Sequence, residues 1–299
     1  MTERLGALGE AAGLDLIAHG TISDADTIRD TAVAQPLIVA AGLVALHVLR
    51  ETSSAPRPYL VTAGHSVGEI TAAVAAGVLT EGEAIRFVAT RGRAMAKASA
   101  VQPTGMSAVL GGDPDEVIAV IERHGLTPAN RNGGGQVVAA GTLEQLAAFA
   151  ADPPAKARVI PLQVAGAFHT RHMAPAVAEL AELAAAMSPA DPAVHLLSNA
   201  DGRAVATGAE ALNRMVGQVS NPVRWDLCQA TLLDLGVTTV IELPPAGTLS
   251  NLAKRSMTGV ATVAIKTPGD LDAALAAIDA APPQSPAQSP TTATAEAGA

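Results

Sequence analysis

Aromatic side chains are scarce: Phe, Trp and Tyr together make up 2% of the 299 residues. The core must therefore be built from Ala, Val, Leu and Ile. With 49% of the chain apolar, the length suffices for one large domain with a smaller insert. Basic residues are also few. Lys and Arg number 19 against 28 Asp and Glu, a net charge of −9. That excludes a general nucleic-acid binder, which needs a basic excess to neutralise phosphates, though a local basic patch is still allowed. The one cysteine, Cys228, excludes an intrachain disulfide and a Cys-based zinc cluster. No histidine–carboxylate group has metal-ligand spacing, so no metal is expected. Neither a GxxxxGK[ST] loop nor a GxGxxG after a strand occurs. The start, "MTERLGALGE", has no apolar run of signal-peptide type. The longest apolar stretch, Pro36–Leu46, falls short of the roughly 20 residues that span a bilayer. A soluble cytoplasmic protein without membrane or nucleic-acid partners is expected.

What is present alternates. "ERLGALGEAAGLDLIAHG" and "AQPLIVAAGLVALHVLRE" have helical periodicity, with Pro36 suited to a first turn. "PYLVTAGHS" reads as a strand, followed by helices "VGEITAAVAAGVL" and "TEGEAIRFVATRGRAMAKA". Between about Met106 and Val164 the order becomes βαββαβ, a split unit of ferredoxin-like type. The α/β pattern then resumes with helix "APAVAELAELAAAM", strand "VHLLSN", helix "NPVRWDLCQATLLDLG", strand "TTVIEL", helix "GTLSNLAKR" and strand "ATVAIK". The expected architecture is an α/β body over residues 1–104 and 168–280, with a mostly parallel sheet covered on both faces. A ferredoxin-like subdomain over 105–167 is inserted into it. The Pro/Ser/Ala/Thr-rich segment 281–299 is expected to be disordered.

The stretch "TAGHSVGEI" sets Ser66 between Gly64 and Gly68 at a strand-to-helix turn. That is the setting in which GxSxG acts as a nucleophile elbow; outside it the pattern is only a glycine-rich turn. In an elbow the Val67 amide points at a developing oxyanion near the positive end of the next helix. Seven histidines could supply a base. His65 adjoins the serine too closely to swing back, His195 reads as a core residue, and His47, His124 and His19 have helical settings. His169, in "VAGAFHTRHMAP", lies at the C-terminal end of a strand, where doubly wound sheets bind ligands, and is the choice; His172 is the spare. Arg91 shares an otherwise apolar helix face with Ala84, Val88 and Met95. A guanidinium there needs an anion: either a core carboxylate or a substrate carboxylate gripped bidentately. Asn130, Asn132 and Gln136 in "ANRNGGGQ" read as turn residues, and Cys228 as a core residue.

Taken in order, "GHSVGE", "TRGRAM" with Arg91 25 positions after Ser66, "ANRNGGGQVVAAG", "GAFHT" and "NPVRW" closely resemble the malonyl-CoA:acyl-carrier-protein transacylase family. This is the acyltransferase of type II fatty-acid synthesis, related to the acyltransferase domains of polyketide synthases. The likeness runs from about Gly13 to Lys266. It implies an α/β-hydrolase-like domain carrying a ferredoxin-like subdomain, a malonyl ester on Ser66, and His169 as its base. It also implies transfer of malonyl to the phosphopantetheine thiol of an acyl carrier protein. On this likeness Arg91 binds the malonyl carboxylate, and His65, Asn130, Asn132 and Gln136 line the pocket. Phe168 crowds an α-methyl branch and so favours malonyl over methylmalonyl. A backbone carbonyl near Asn221 orients the imidazole. Malonyl-CoA and the carrier protein are the implied partners, no cofactor of the enzyme's own is implied, and a monomer is expected.

The chain departs from the family pattern at two points. It has no GQGxQ loop, whose glutamine helps shape the oxyanion site in the family, and "ELPPAG" replaces a glycine-proline turn. Two other readings compete. A serine esterase would need a late histidine after an acid, and no histidine lies beyond His195. A carrier-protein-binding module without chemistry would use local basic residues such as Arg171, Lys254 and Arg255.

Overall fold

The computed structural model describes residues 2–53 and 59–280; the segment 281–299 lies outside the described residues. The first helical stretch divides in two. α1 (Thr2–Ala12) stops where Gly13 turns left-handed with φ 66°, and α2 (Leu16–Thr21) restarts on Asp15, whose side chain accepts from the Ala18 N–H at 2.9 Å. α3 (Ala25–Arg29) follows, then α4 (Thr31–Thr52), capped by Asp30. Because Asp30 starts α4 early, Pro36 lies inside the helix rather than in its first turn. At 22 residues α4 is long and apolar enough to cross a membrane by length and composition, unlike the shorter run expected. Its Val39, Leu43 and Leu46 are nevertheless buried in the main core.

β1 (Val61–Thr62) leads into α5 (Gly68–Ala75) and α6 (Glu81–Ser99). α6 opens on a reciprocal capping box between Thr80 and Glu83, which fixes its start and therefore the face that Arg91 presents. β2 (Thr104–Gly111), α7 (Pro114–Arg123), β3 (Thr127–Gly133), β4 (Gln136–Thr142), α8 (Leu143–Ala151) and β5 (Ala157–Pro161) come next. These strands pair antiparallel in the order β5-β2-β4-β3, the split βαββαβ arrangement. They enclose their own core of Val109, Val117, Ile121 and Phe149.

After a 3-10 turn at Arg171–Met173 the chain forms α9 (Ala174–Ala185) and β6 (His195–Leu196), the latter parallel to β1. α10 (Gly208–Gln218), for which the sequence reading has no element, starts on a Thr207 cap. β7 (Val223–Arg224) then joins the subdomain sheet, parallel to β3. The segment expected to open a helix at "NPVRW" thus begins as a strand, because β3 offers an edge that local sequence cannot reveal. α11 (Trp225–Asp234), β8 (Thr239–Glu242), α12 (Thr248–Ser256), β9 (Ala261–Ala264) and α13 (Leu271–Asp279) complete the described chain; α13 also had no expected counterpart. The strands of the larger part pair in parallel, as helix–strand alternation implies, but as two pairs, β1–β6 and β8–β9.

Candidate active site

The turn after β1 puts Ser66 at φ 53°, a left-handed conformation that non-glycine residues rarely adopt. The turn closes through Gly68 N–H to the His65 carbonyl and Glu69 N–H to the Ser66 carbonyl, each 3.0 Å. Only one flanking glycine is there for space. A Cβ on Gly64 would sit 2.0 Å from the Gly68 carbonyl carbon, whereas a Cβ on Gly68 would meet nothing within 4 Å. The Val67 N–H heads α5 and has no acceptor among the described residues, so it is available to an incoming oxygen.

His169 is buried and also left-handed, with φ 61°. The Ser66 hydroxyl donates to His169 Nε2 at 2.7 Å, and Nδ1 donates to the Gln218 carbonyl at 2.8 Å. The carbonyl that orients the ring therefore belongs to Gln218, at the end of α10, and not to Asn221. Asn221 is exposed, its side-chain amide donates to the Gly217 carbonyl, and its backbone acts on the ring less than the Gln218 carbonyl does. No acid lies on Nδ1, so a Ser-His-Asp esterase arrangement is not formed. Burial first, and then the Arg91 charge, push His169 down to about 3, while the Gln218 carbonyl pulls the other way. The imidazole is consequently neutral at ordinary pH and ready to accept the serine proton.

Arg91 is 1% exposed, yet its hydrogen-bond partners are all uncharged. It donates to Gln35 Oε1, to Gln218 Oε1 at 3.0 Å and to Ser66 Oγ at 3.2 Å, and its Nε has no partner. The core carboxylate weighed as one explanation is not bonded to it. Glu69 is close enough only to act through its charge, and burial lowers Arg91 to about 10. A cation held by neutral amides beside a hydroxyl is a receptor for an anion.

The remaining candidates are spread around this centre. His65 Nε2 meets Asn132 Oδ1 at 2.8 Å, and Asn132 donates onward to Gln136 Oε1 at 2.9 Å. His65 also sits edge-on to Trp225, and burial lowers its pKa. Phe168, half-buried, packs on both the main core and the cluster of Met106, Ala129 and Val138. Asn130 is buried on β3. Arg171, Lys254 and Arg255 are exposed. Cys228 is buried at the side of the site, and burial raises its thiol to about 12. Among the described residues no group of three His, Cys, Asp or Glu could hold a metal ion.

Sequence reasoning missed four residues: Gln35, Glu69, Asn199 and Gln218. Gln218 serves both halves of the site. Its carbonyl holds His169, its Oε1 holds Arg91, and its Nε2 donates to the Glu69 carboxylate. Burial raises Glu69 to about 8, opposed by the Asn199 N–H and by Arg91. α10 did carry a legible signal, a Thr207 cap with Glu210 three residues on and apolar Leu212, Met215 and Val216. Together these groups can ionise a serine, stabilise the oxyanion at Val67 and receive a carboxylate on Arg91, whose guanidinium lies 3.2 Å from the Ser66 hydroxyl.

Residues 7–271 match the acyl transferase domain family. The chain is 53% identical over 270 residues to the malonyl CoA-acyl carrier protein transacylase of Mycobacterium tuberculosis, covering 90% of this chain and 89% of the relative. Its fold matches the crystal structure of MCAT from Mycobacterium tuberculosis with a TM-score of 0.88 over 92% of this chain and 91% of that one. It also matches, at 28% identity and a TM-score of 0.84 over 92% of this chain and 90% of that one, a malonyl-transacylase solved with a type II PKS acyl-carrier protein. The serine elbow, its neutral base and the matched domain agree, and the chain belongs to the acyl transferase domain family.

Proposed function

We propose that this protein moves a malonyl group from malonyl-CoA to the phosphopantetheine thiol of an acyl carrier protein, supplying extender units for fatty-acid or polyketide chains. The observation that carries the reading is the buried Arg91, held by neutral amides 3.2 Å from the Ser66 hydroxyl. In the first half-reaction Ser66 Oγ attacks the thioester carbonyl as His169 Nε2 takes its proton. The Oγ–C bond forms, the C–S bond breaks, and the proton passes to the CoA sulfur. In the second, the carrier thiol attacks the malonyl ester, His169 takes the thiol proton and returns it to Ser66. Arg91 holds the free carboxylate throughout, Val67 N–H meets the oxyanion, and His65, Asn132 and Gln136 shape one wall. Phe168 crowds an α-methyl branch. The setting proposed is the cytoplasm.

A module that binds the carrier without chemistry is disfavoured by the Ser66–His169 contact at 2.7 Å, which binding alone does not require. Initial rates measured with malonyl-CoA and phosphopantetheinylated carrier protein both varied are expected to give parallel reciprocal plots, the signature of a covalent intermediate. Plots that intersect would mean direct transfer from malonyl-CoA to the carrier thiol in a ternary complex and would overturn the reading.

A further inference from the structure

Asn199, three residues beyond the end of β6, is fully buried at 0% exposure, and every polar group it has is directed at the site's frame. Its Oδ1 accepts from the Ser66 N–H at 2.7 Å and its Nδ2 donates to the Gly64 carbonyl at 2.8 Å, so one side-chain amide spans the elbow turn. Its backbone N–H donates to the Glu69 side chain, in the first turn of α5. Its backbone carbonyl accepts from the Arg224 N–H at 2.8 Å. Arg224 lies on β7, in register with Arg131 of β3, and β3 carries Asn132, which holds His65. The connection is a closed ring: elbow, Asn199, β7, β3, and back to the residue preceding the serine.

The ring bears on a specific difficulty. Ser66 is left-handed, a state that persists in a non-glycine residue only when surrounding structure over-determines it. The turn's own bonds, from Gly68 and Glu69, leave the Ser66 N–H and Gly64 carbonyl without local partners. Asn199 supplies both. We infer that Asn199 is a positioning residue for the nucleophile, holding Ser66 in the conformation that keeps its hydroxyl on His169. The inference rests on Ser66 being the acylated residue. Asn199 hydrogen-bonds neither Arg91 nor His169; its side chain is linked toward them by a 3.2 Å bond from Gln218 Nε2, and its backbone N–H through Glu69, which Asn199→Ala leaves in place. Its loss should therefore slow chemistry without changing which acyl group is preferred.

The test uses Asn199→Ala and Asn199→Asp in the full chain, with competent sites counted by the malonyl burst. Asp keeps the acceptor for the Ser66 N–H and lacks the donor for Gly64. The rate per competent site is measured with malonyl-CoA, and separately with phenylmethylsulfonyl fluoride, which carries no carboxylate. A displaced nucleophile costs about 100-fold, so both rates should fall by about that factor in Asn199→Ala and by less in Asn199→Asp. KM and the malonyl-to-acetyl preference should stay near wild type. Wild-type rates per competent site in Asn199→Ala, with the loss confined to the folded fraction or Tm, would make Asn199 merely structural and overturn the inference. Sulfonylation that persists in Ser66→Ala would instead sink the nucleophile reading beneath it.

Discussion

The two cores of this molecule are built on opposite terms. The subdomain core of Val109, Val117, Ile121 and Phe149 is apolar and is framed by regular antiparallel strands. The centre of the larger part holds Gln35, Glu69, Arg91, His169, Asn199 and Gln218, all buried, around a serine in a left-handed conformation. Burying so many polar groups is costly unless each is bonded, and these six bond to one another. The two meet at β3, whose Asn132 reaches His65.

Substitutions can break that contrast. Gly64→Ala should have the largest effect, because its Cβ falls 2.0 Å from the Gly68 backbone and the elbow cannot close. Malonyl transfer should drop by at least about 1000-fold, on the scale of losing a catalytic group. Gly68→Ala, facing open space, should retain most of it. A Gly64→Ala enzyme with ordinary turnover would show that the turn geometry is dispensable.

Arg91→Ala comes next. Removing a buried partner for a substrate charge should lower kcat/KM for malonyl-CoA by about 100-fold or more while sparing acetyl-CoA, so the preference between them collapses. Unchanged selectivity in competition assays would remove the carboxylate role. Phe149→Ala tests the other region. Its fully buried ring should cost about 3–5 kcal/mol of stability in denaturant titrations, while the rate per folded molecule changes little. A comparable loss of per-site rate would mean that the regions are not separable in this way.

The smallest effect is with pH. His169 sits near 3 in the folded protein, below the ordinary histidine value of about 6.5. Between pH 8 and about 5 the base stays neutral, so the acylation rate should be flat apart from other groups. Stability behaves differently. Below about 6.5 the unfolded chain takes up a proton that the folded one refuses, so this histidine's contribution turns unfavourable as pH falls toward 3. A titration of kcat/KM for acylation centred near 6.5 and abolished by His169 substitution would contradict the neutral-base assignment.

The elbow and Arg91 are legible in the sequence because each has a local signature, glycine spacing or a cation on an apolar helix face; the strand-end argument for the base does not hold, because β5 ends at Pro161, eight residues before His169, and pairs antiparallel with β2. Asn199 and Gln218 were not legible. Each is an ordinary amide in its own segment and gains its role only when β6 or α10 is set against the elbow. The parallel pairing of β7 with β3 escaped notice for the same reason, since two residues cannot advertise a distant edge. Asn221 shows the limit of the family likeness: the segment was right, but the carbonyl on the ring is three residues earlier, at the end of a helix that the sequence reading left out.

The most direct test of the account is mass analysis of peptides from enzyme quenched after brief exposure to malonyl-CoA. One malonyl group should be found on the peptide containing Ser66, it should be absent in Ser66→Ala, and it should leave on adding phosphopantetheinylated carrier protein. A malonyl group on another residue, or undiminished labelling of Ser66→Ala, would contradict the account.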